Sequence, residues 1–312
     1  MKIAFFGTPE FALPSLDALV ASRHEVVLVV TRPDKPVGRK RVMTSPPVAK
    51  RARHHGLEVA QPKKIKSGPF PEALRDAGIE AAAVVAYGRI ISPELLAIPR
   101  LGMVNVHPSL LPRHRGPSPI QWALACGDRF TGVSTMLLDD GMDTGPLLLQ
   151  ERVRIEDRED AEQLGSRLAV LGAELLVKSL DGLEEGSVSP RPQASDGANV
   201  TPMLRREFGE VDWSMPAHQL VNRLRAFTPW PGLFTEFRGG RLKLFGLETA
   251  SDVHGGDEEP GTVLAAEARG IVVRCGRRTA LVITEVQREG RRRMPADAFN
   301  IGERVATGER FG

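Results

Sequence analysis

Asn105 and His107 lie two residues apart in GMVNVH, a run whose β-branched residues suit a strand. Side chains at i and i+2 of a strand leave from one face, so these two polar groups point together while Val104 and Val106 point the other way. An irregular stretch punctuated by Pro108, Pro112, Pro117 and Pro119 follows at once. Some thirty residues on, DDGMDTG offers three carboxylates, Asp139, Asp140 and Asp143, among which spacing does not choose. An Asn, a His and an Asp with no nucleophile elbow, P-loop, GxGxxG or metal-spaced ligand set suit acyl transfer between two bound substrates. Attack of an amine on an amide carbonyl develops an oxyanion. A side-chain N–H from Asn105 directed at that oxygen is a contact worth about 10²–10³ in rate, and proton transfer or a second hydrogen bond from His107 about 10²–10⁴. A carboxylate beside the imidazole fixes its tautomer and tunes its pKa.

The elements that must hold these groups are legible along the chain. KIAFFG, EVVLVVT, LEVAQ, AAAVVAY and GMVNVH alternate with helix-like segments at about 10–21, 46–55, 70–77, 93–97 and 118–126, the pattern of βαβ units in a doubly wound, mostly parallel α/β sheet. Ligands of such sheets bind beyond the carboxyl ends of the strands, where His107 falls. TGVSTMLLD and GPLLLQERVRI predict two further strands, antiparallel around the loop from Asp140 to Gly145. Leu164, Leu168, Leu171, Leu175 and Leu176 then recur at helical spacing, with Gly182 as a stop.

Residues 1–185 thus read as one domain, the Pro-, Ser- and Asn-rich stretch 186–208 as a linker, and 209–312 as a smaller, mostly β, barrel-like domain. The length of 312 residues and the 41% hydrophobic, 26% charged composition give each part enough apolar surface for a core. Nothing approaches the ~18–20 uncharged apolar residues of a membrane span. MKIAFFGTPEF reads as a first strand rather than a leader, as in a cytoplasmic protein. Cys126 and Cys275 have no metal-spaced neighbours and are expected to be buried or inert, and no metal site is expected. Trp213 and Trp230 are expected to pack the second core.

The run NVHPSLLPRHRG, with DDGMDTG after it, resembles the formyltetrahydrofolate-dependent formyltransferases. FGTPEF, TRPDKPVGRKR, AYGRIIS, SLLPRHRGPSPIQ and DWSMPAHQLVNRLRAFTPWPG occur in the order of the branch that formylates an aminoacyl-tRNA, over essentially the whole chain. The resemblance implies a Rossmann-like catalytic domain and an OB-like second domain. It implies Asn105, His107 and Asp143 as the catalytic group, choosing Asp143 over its neighbours. Ser109, Leu110, Leu111 and Pro112, with Tyr87 and Gly88, would lie at the folate site, and Arg39, Lys40 and Arg41 would meet the tRNA acceptor end. The implied reaction moves the formyl group of 10-formyltetrahydrofolate to the α-amine of initiator methionyl-tRNA, in a cytoplasmic monomer without a metal. The chain departs from the family pattern at Pro108, at His114, where Trp is common, and at Pro117 and Ser118, where two alanines are usual.

Charge supports a large acidic partner. Between Arg32 and Arg53 eight basic residues face Asp34 alone. Such an unbalanced patch suits phosphates. A second cluster, Arg274, Arg277, Arg278, Arg288, Arg291, Arg292 and Arg293, lies in the β half, whereas Arg205 and Arg206 read as ordinary solvated charges. The alternatives are a formyl transferase with a small amine acceptor, such as a sugar nucleotide or a purine precursor, and an RNA-binding protein on an inactive scaffold. The basic loop argues against the first, and the intact Asn, His and Asp set against the second.

Overall fold

A computed structural model describes residues 1–38, 40–65, 67–250 and 256–312. The chain forms two compact units, one of Met1–Pro119, Phe130–Arg154 and Gln163–Thr201, the other of Ile120–Arg129, Ile155–Glu162 and Pro202–Gly312. The expected linker is therefore divided, its first part belonging to the first unit through Thr201 and its remainder to the second.

The first unit is a seven-stranded sheet in the order β5-β2-β1-β6-β7-β8-β9. Its strands are β1 Lys2–Gly7, β2 Glu25–Val30, β5 Val59–Ala60, β6 Ala81–Val85, β7 Met103–His107, β8 Phe130–Leu137 and β9 Leu147–Arg154. Helices α1 Leu13–Val20, α2 Pro47–His54, α3 Phe70–Asp76 and α4 Pro93–Leu96 connect the parallel strands. β7 pairs parallel with β6 and antiparallel with β8, so the sheet changes direction at the strand that carries Asn105 and His107.

Alternation along β1 and β7 sorts the two faces. Ala4, Phe6, Val84, Phe70, Leu74, Tyr87, Leu95 and Met103 form one core. On the opposite face the long helix α6 Ala161–Glu185 lies close, because a Cβ on Gly172 would come within 2.7 Å of Val106 Cγ1. Thr135 and Ser179 are hydrogen bonded at 2.7 Å beneath it. The face bearing Asn105 and His107 is thus the one away from α6.

Between β2 and α2 the loop read from Pro and Gly forms an antiparallel hairpin, β3 Lys35–Val37 with β4 Val42–Thr44. Val37, Val42 and Met43 are exposed on it. Short, Pro-containing strands do not show period-two alternation, which is why the hairpin escaped the sequence pattern.

In the second unit, helix α5 Pro119–Ala125 sets Trp122 edge-on to Phe208 and Phe227. The sheet there is antiparallel in the order β10-β11-β14-β13-β12, with β15 on β14. The elements are α7 Ala217–Phe227, β10 Leu233–Phe237, β11 Gly240–Thr249, β12 Val263–Glu267, β13 Gly270–Cys275, β14 Thr279–Arg288, β15 Met294–Pro295 and α8 Ala296–Glu303. The edge strands β10 and β12 do not pair directly among the described residues, and the C-terminal residues 309–312 bond to both, with Val263 N–H on the Glu309 carbonyl at 2.8 Å and Gly312 N–H on the Glu236 carbonyl at 3.1 Å.

Trp213 is in this core, stacked on Phe311 and donating to Thr235 Oγ1 at 3.0 Å. Trp230 is not: it is 55% exposed, because the turn closed by Gly232 N–H on the Phe227 carbonyl leaves it outside. Cys275 is fully buried, which pushes its thiol up to about 12, whereas Cys126 is exposed; both are free. No described helix is long and apolar enough to cross a membrane.

Candidate active site

β7 pairs Asn105 with Val84 and Met136, and His107 with Ser134. The Asn105 side chain is half-buried, and its amide takes no hydrogen bond among the described residues. His107 is 5% exposed. Its Nε2 lies 2.9 Å from the backbone carbonyl of His114, and its Nδ1 lies 3.6 Å from Asp143 Oδ2. The same Oδ2 accepts the Gly116 N–H at 2.7 Å. The structure therefore brings Asn105, His107 and Asp143 onto one face at the carboxyl end of β7.

A carbonyl only accepts, so Nε2 carries a proton in either charge state and Nδ1 is the atom that titrates. Burial pushes His107 below the ordinary imidazole range, and Asp143 and the His114 carbonyl pull against it without cancelling it. At neutral pH the ring is the neutral Nε2–H form, with the Nδ1 lone pair turned toward a carboxylate. This arrangement accepts a proton at Nδ1 and then stabilises the imidazolium. At 3.6 Å the two atoms stand beyond direct hydrogen-bond distance until that proton arrives.

The loop after β8 separates the three carboxylates that spacing could not. Asp139 is a turn former, accepting Gly141 N–H at 3.1 Å and Thr144 Oγ1 at 2.9 Å. Asp140 is exposed. Asp143 alone reaches the imidazole, from a left-handed backbone at φ 54°. The loop leaves β8 opposite Val104 yet meets His107 three residues further along β7, so it folds back over the polar face. Gly145 permits this, since a Cβ there would lie 1.8 Å from the Leu137 carbonyl oxygen.

The SLLP segment is an internally bonded loop. Ser109 is fully buried, and its hydroxyl donates to the Arg113 carbonyl at 2.6 Å. Ser134 Oγ donates to the Ser109 carbonyl at 2.7 Å and accepts Leu111 N–H at 3.1 Å. Leu111 packs on Met136 and Leu147. The side chains of Ser109 and Leu111 are thus committed to the loop, while Leu110 is half-buried. Tyr87 is also a core side chain, edge-on to Phe6, with its carbonyl accepting Thr8 Oγ1 at 3.0 Å. Gly88 follows at φ 75°, where the Arg32 guanidinium would stand 3.5 Å from a Cβ. Tyr87 and Gly88 follow the end of β6 as His107 ends β7, at neighbouring strand termini.

Lys40 and Arg41 occupy the exposed turn of the β3–β4 hairpin and have no ion pair among the described residues. Arg39 lies outside the described residues. Asp34, the one acid of the patch, is held by Gln61 Nε2 at 2.7 Å and Ser45 Oγ at 2.9 Å, bonds that keep its carboxyl below the usual range.

In the second unit the arginine cluster is largely self-paired, Arg278 with Asp257, Arg288 with Glu303 and Arg293 with Glu285. Arg274 is buried on backbone carbonyls. A basic hollow of about 300 Å³ instead includes Arg206, Arg241, Lys243 and Arg291. Arg206 is a residue the sequence reading set aside, and only the fold shows its cationic neighbours.

One further group of metal-ligating residue types stands among the described residues, His24 with Asp181 and Glu184. Each nitrogen of His24 faces a different carboxylate, and Arg23 bonds Asp181 at 2.6 Å and lies 3.3 Å from Glu184. The cations paired with these acids are Arg23 and the N-terminal ammonium, so the group forms an ion-pair network around a buried imidazole.

The sequence profile for formyl transferases matches residues 1–180, and that for the formyl transferase C-terminal domain matches residues 203–304. The chain belongs to the formyl transferase family. It is therefore an enzyme, and the Asn, His and Asp group lies in the family's N-terminal domain. The chain is 46% identical over 98% of its length to a methionyl-tRNA formyltransferase of Myxococcus xanthus, covering 96% of that protein. It is 43% identical over its whole length to the methionyl-tRNA formyltransferase of Solibacter usitatus, covering 99% of it. Among solved structures, the N-formyltransferase from Helicobacter canadensis in complex with folinic acid and dTDP-3-aminofucose superposes with a TM-score of 0.70 over 92% of this chain and 99% of that one. At 15% identity that likeness is one of fold.

Proposed function

We propose that this formyl transferase moves the formyl group of 10-formyltetrahydrofolate to the α-amine of initiator methionyl-tRNA, with Asn105, His107 and Asp143 as the catalytic residues. The observation that carries the reading is the His107 imidazole held between the His114 carbonyl and the Asp143 carboxylate, in a chain so similar over its full length to methionyl-tRNA formyltransferases.

The folate cosubstrate supplies an activated formyl group. The amide of Asn105, without a partner among the described residues, fits its oxygen: the N–H donates to the oxyanion that develops as the amine attacks. His107 Nδ1 takes the proton from the attacking amine while Asp143 stabilises the imidazolium and keeps the ring in place; as the oxyanion collapses the bond from the formyl carbon to the folate N10 breaks, and the proton passes from the imidazolium to the departing N10, leaving tetrahydrofolate and the neutral ring. The backbone of Tyr87 and Gly88, the half-buried Leu110 and the backbone of Ser109 to Pro112 would bound the folate, since the Ser109, Leu111 and Tyr87 side chains are engaged elsewhere.

Arg39, Lys40 and Arg41 would meet phosphates of the acceptor end, Lys40 and Arg41 from the exposed turn of the β3–β4 hairpin, in a stretch of sequence whose cations outnumber its single, already bonded acid. The reading takes the enzyme as a cytoplasmic monomer with a 1–185 catalytic domain and a 209–312 tRNA-binding domain.

The test is formyl transfer from 10-formyltetrahydrofolate to charged initiator tRNA, run beside His107→Ala and beside free methionine. Transfer to the charged tRNA alone, abolished by the substitution, is the expected result. Transfer to a small amine would move the acceptor, and tight tRNA binding without transfer would make the chain a binding protein.

A further inference from the structure

The stretch 191–201 has the composition of a linker but the bonding of a structural strap. Leu147 and Arg191 exchange both backbone hydrogen bonds, at 2.7 and 2.8 Å. Asn199 Oδ1 accepts His114 N–H at 2.7 Å, and its carbonyl accepts Arg115 N–H at 3.0 Å. Thr201 gives both its N–H and its hydroxyl to the Arg115 carbonyl, at 2.7 and 2.9 Å.

At the centre of the strap is Gln193. Its Nε2 donates to the carbonyls of Asp143 at 2.9 Å and Gly145 at 2.8 Å. Its Oε1 accepts from Arg115 Nε at 3.1 Å and from the terminal Nη2 at 2.7 Å. Two amide protons meet two carbonyls and one amide oxygen meets a guanidinium fork, so the hydrogen-bonding capacity of the group is filled.

Those partners are the two loops on which the His107 geometry rests. The Asp143–Gly145 turn carries the carboxylate, and the 114–116 stretch carries the carbonyl that holds Nε2 and the N–H that holds Oδ2. The loops are far apart in sequence, and Gln193 joins them directly through side-chain bonds. We propose that Gln193 is a positioning residue: by tying the Asp143–Gly145 turn to Arg115 it sets the placement of the Asp143 carboxylate against His107 Nδ1. It touches neither reacting atom. A carboxylate in its place would keep the Arg115 fork but oppose like-charged oxygen to two carbonyls, so Gln193→Glu is a near-isosteric way to cut half of the tie.

The inference rests on the catalytic reading of His107 and Asp143, and its test separates the two. Gln193→Ala and Gln193→Glu are compared with wild type in the full chain by kcat, KM and the pH profile of kcat, and by nuclear magnetic resonance titration of the His107 imidazole. The groups facing that imidazole are Asp143 and His114. The expected result is a fall in kcat of about 10- to 100-fold with KM for both substrates nearly unchanged, the range for a misplaced catalytic group. The His107 titration midpoint moves to lower pH in both variants, because Asp143 no longer supports the protonated ring, and the acid limb of kcat moves with it. Gln193→Glu, of unchanged volume, carries the test should the alanine variant not fold. Wild-type kcat, or a reduced kcat with the His107 titration unmoved, overturns the proposal. Full activity of His107→Ala would instead overturn the catalytic reading, and the titration would still report whether Gln193 places Asp143.

Discussion

The backbone carbonyl of His114 lies 2.9 Å from Nε2 of His107, and this contact decides which nitrogen does chemistry. An oxygen that cannot donate keeps a proton on Nε2, so proton exchange is confined to Nδ1, the atom facing Asp143. Nitrogen-15 chemical shifts of His107 are expected to show the Nε2–H tautomer at neutral pH. An Nδ1–H tautomer would reverse the assignment of base.

The pH dependence follows from the direction of the His107 shift. The ring is held below its usual range by burial, so it remains neutral down to pH values under about 6.5 and only then protonates. The kcat for the charged tRNA is expected to hold between pH 7.5 and 6.5 and to fall at lower pH. Asp143→Asn should move that limb further down and lower kcat by about 10²–10⁴, the scale for removing a base's carboxylate partner. A limb above pH 7 would contradict the burial argument.

Asn105→Asp replaces the free N–H with an acceptor at the site of a developing negative charge. A loss of about 10²–10³ in kcat is expected, with the melting temperature nearly unchanged because the side chain is half-buried and takes no internal hydrogen bond. Near-normal turnover would remove the oxyanion role.

Lys40→Ala with Arg41→Ala should raise KM for tRNA and flatten its dependence on salt, since each lost phosphate contact removes about one unit of slope. The KM for the folate should not move. Unchanged tRNA kinetics at 50 and 200 mM salt would discard the hairpin as a tRNA contact.

Ser134 is fully buried and holds the SLLP loop through Ser109, Leu111 and Gln150. Ser134→Ala leaves the Leu111 N–H without its partner, a cost of about 1–3 kcal/mol. Denaturant unfolding should show that loss together with a raised KM for the folate. A variant as stable as wild type would show that the loop does not depend on this hydroxyl.

His24 is a second pH-sensitive point, unconnected with turnover. Burial lowers its pKa in the folded chain despite Asp181 and Glu184 beside it, with Arg23 acting against protonation. A depressed value means the stability is complete above the unfolded pKa of about 6.5 and declines as pH falls through the folded value. The urea midpoint should drop between pH 7 and 5 and drop less in His24→Gln, while kcat at pH 7 stays unchanged in that variant.

Much of this was written in local sequence. Short apolar and β-branched runs separated by Pro and Gly specified β1, β2, β6, β7, β8 and β9, because strands covered on both faces are buried along most of their length, while their side chains still alternate with a period of two. The same period put Asn105 and His107 on one face of β7, and family resemblance selected Asp143. Tertiary structure decided the rest. Which carboxylate reaches the imidazole depends on a loop that folds back from Val104 to His107, and which nitrogen titrates depends on a backbone carbonyl seven residues on. The number of short strands suggested a barrel-like sheet, but how its edges meet, here through bonds from residues 309–312 to β10 and β12, is a long-range matter that strand count does not encode. Trp230 left the core, and Arg206, solvated as expected, gained cationic neighbours, because exposure and charged neighbours are properties of packing. Gln193 is the clearest case. In sequence it is one polar residue in a Pro-rich stretch, and its four bonds join Arg115 to Asp143 and Gly145, distant segments that only the folded chain brings within reach of one amide. Local physics determines periodicity and turn chemistry. Long-range hydrogen bonds are settled only when the sheet has placed its loops.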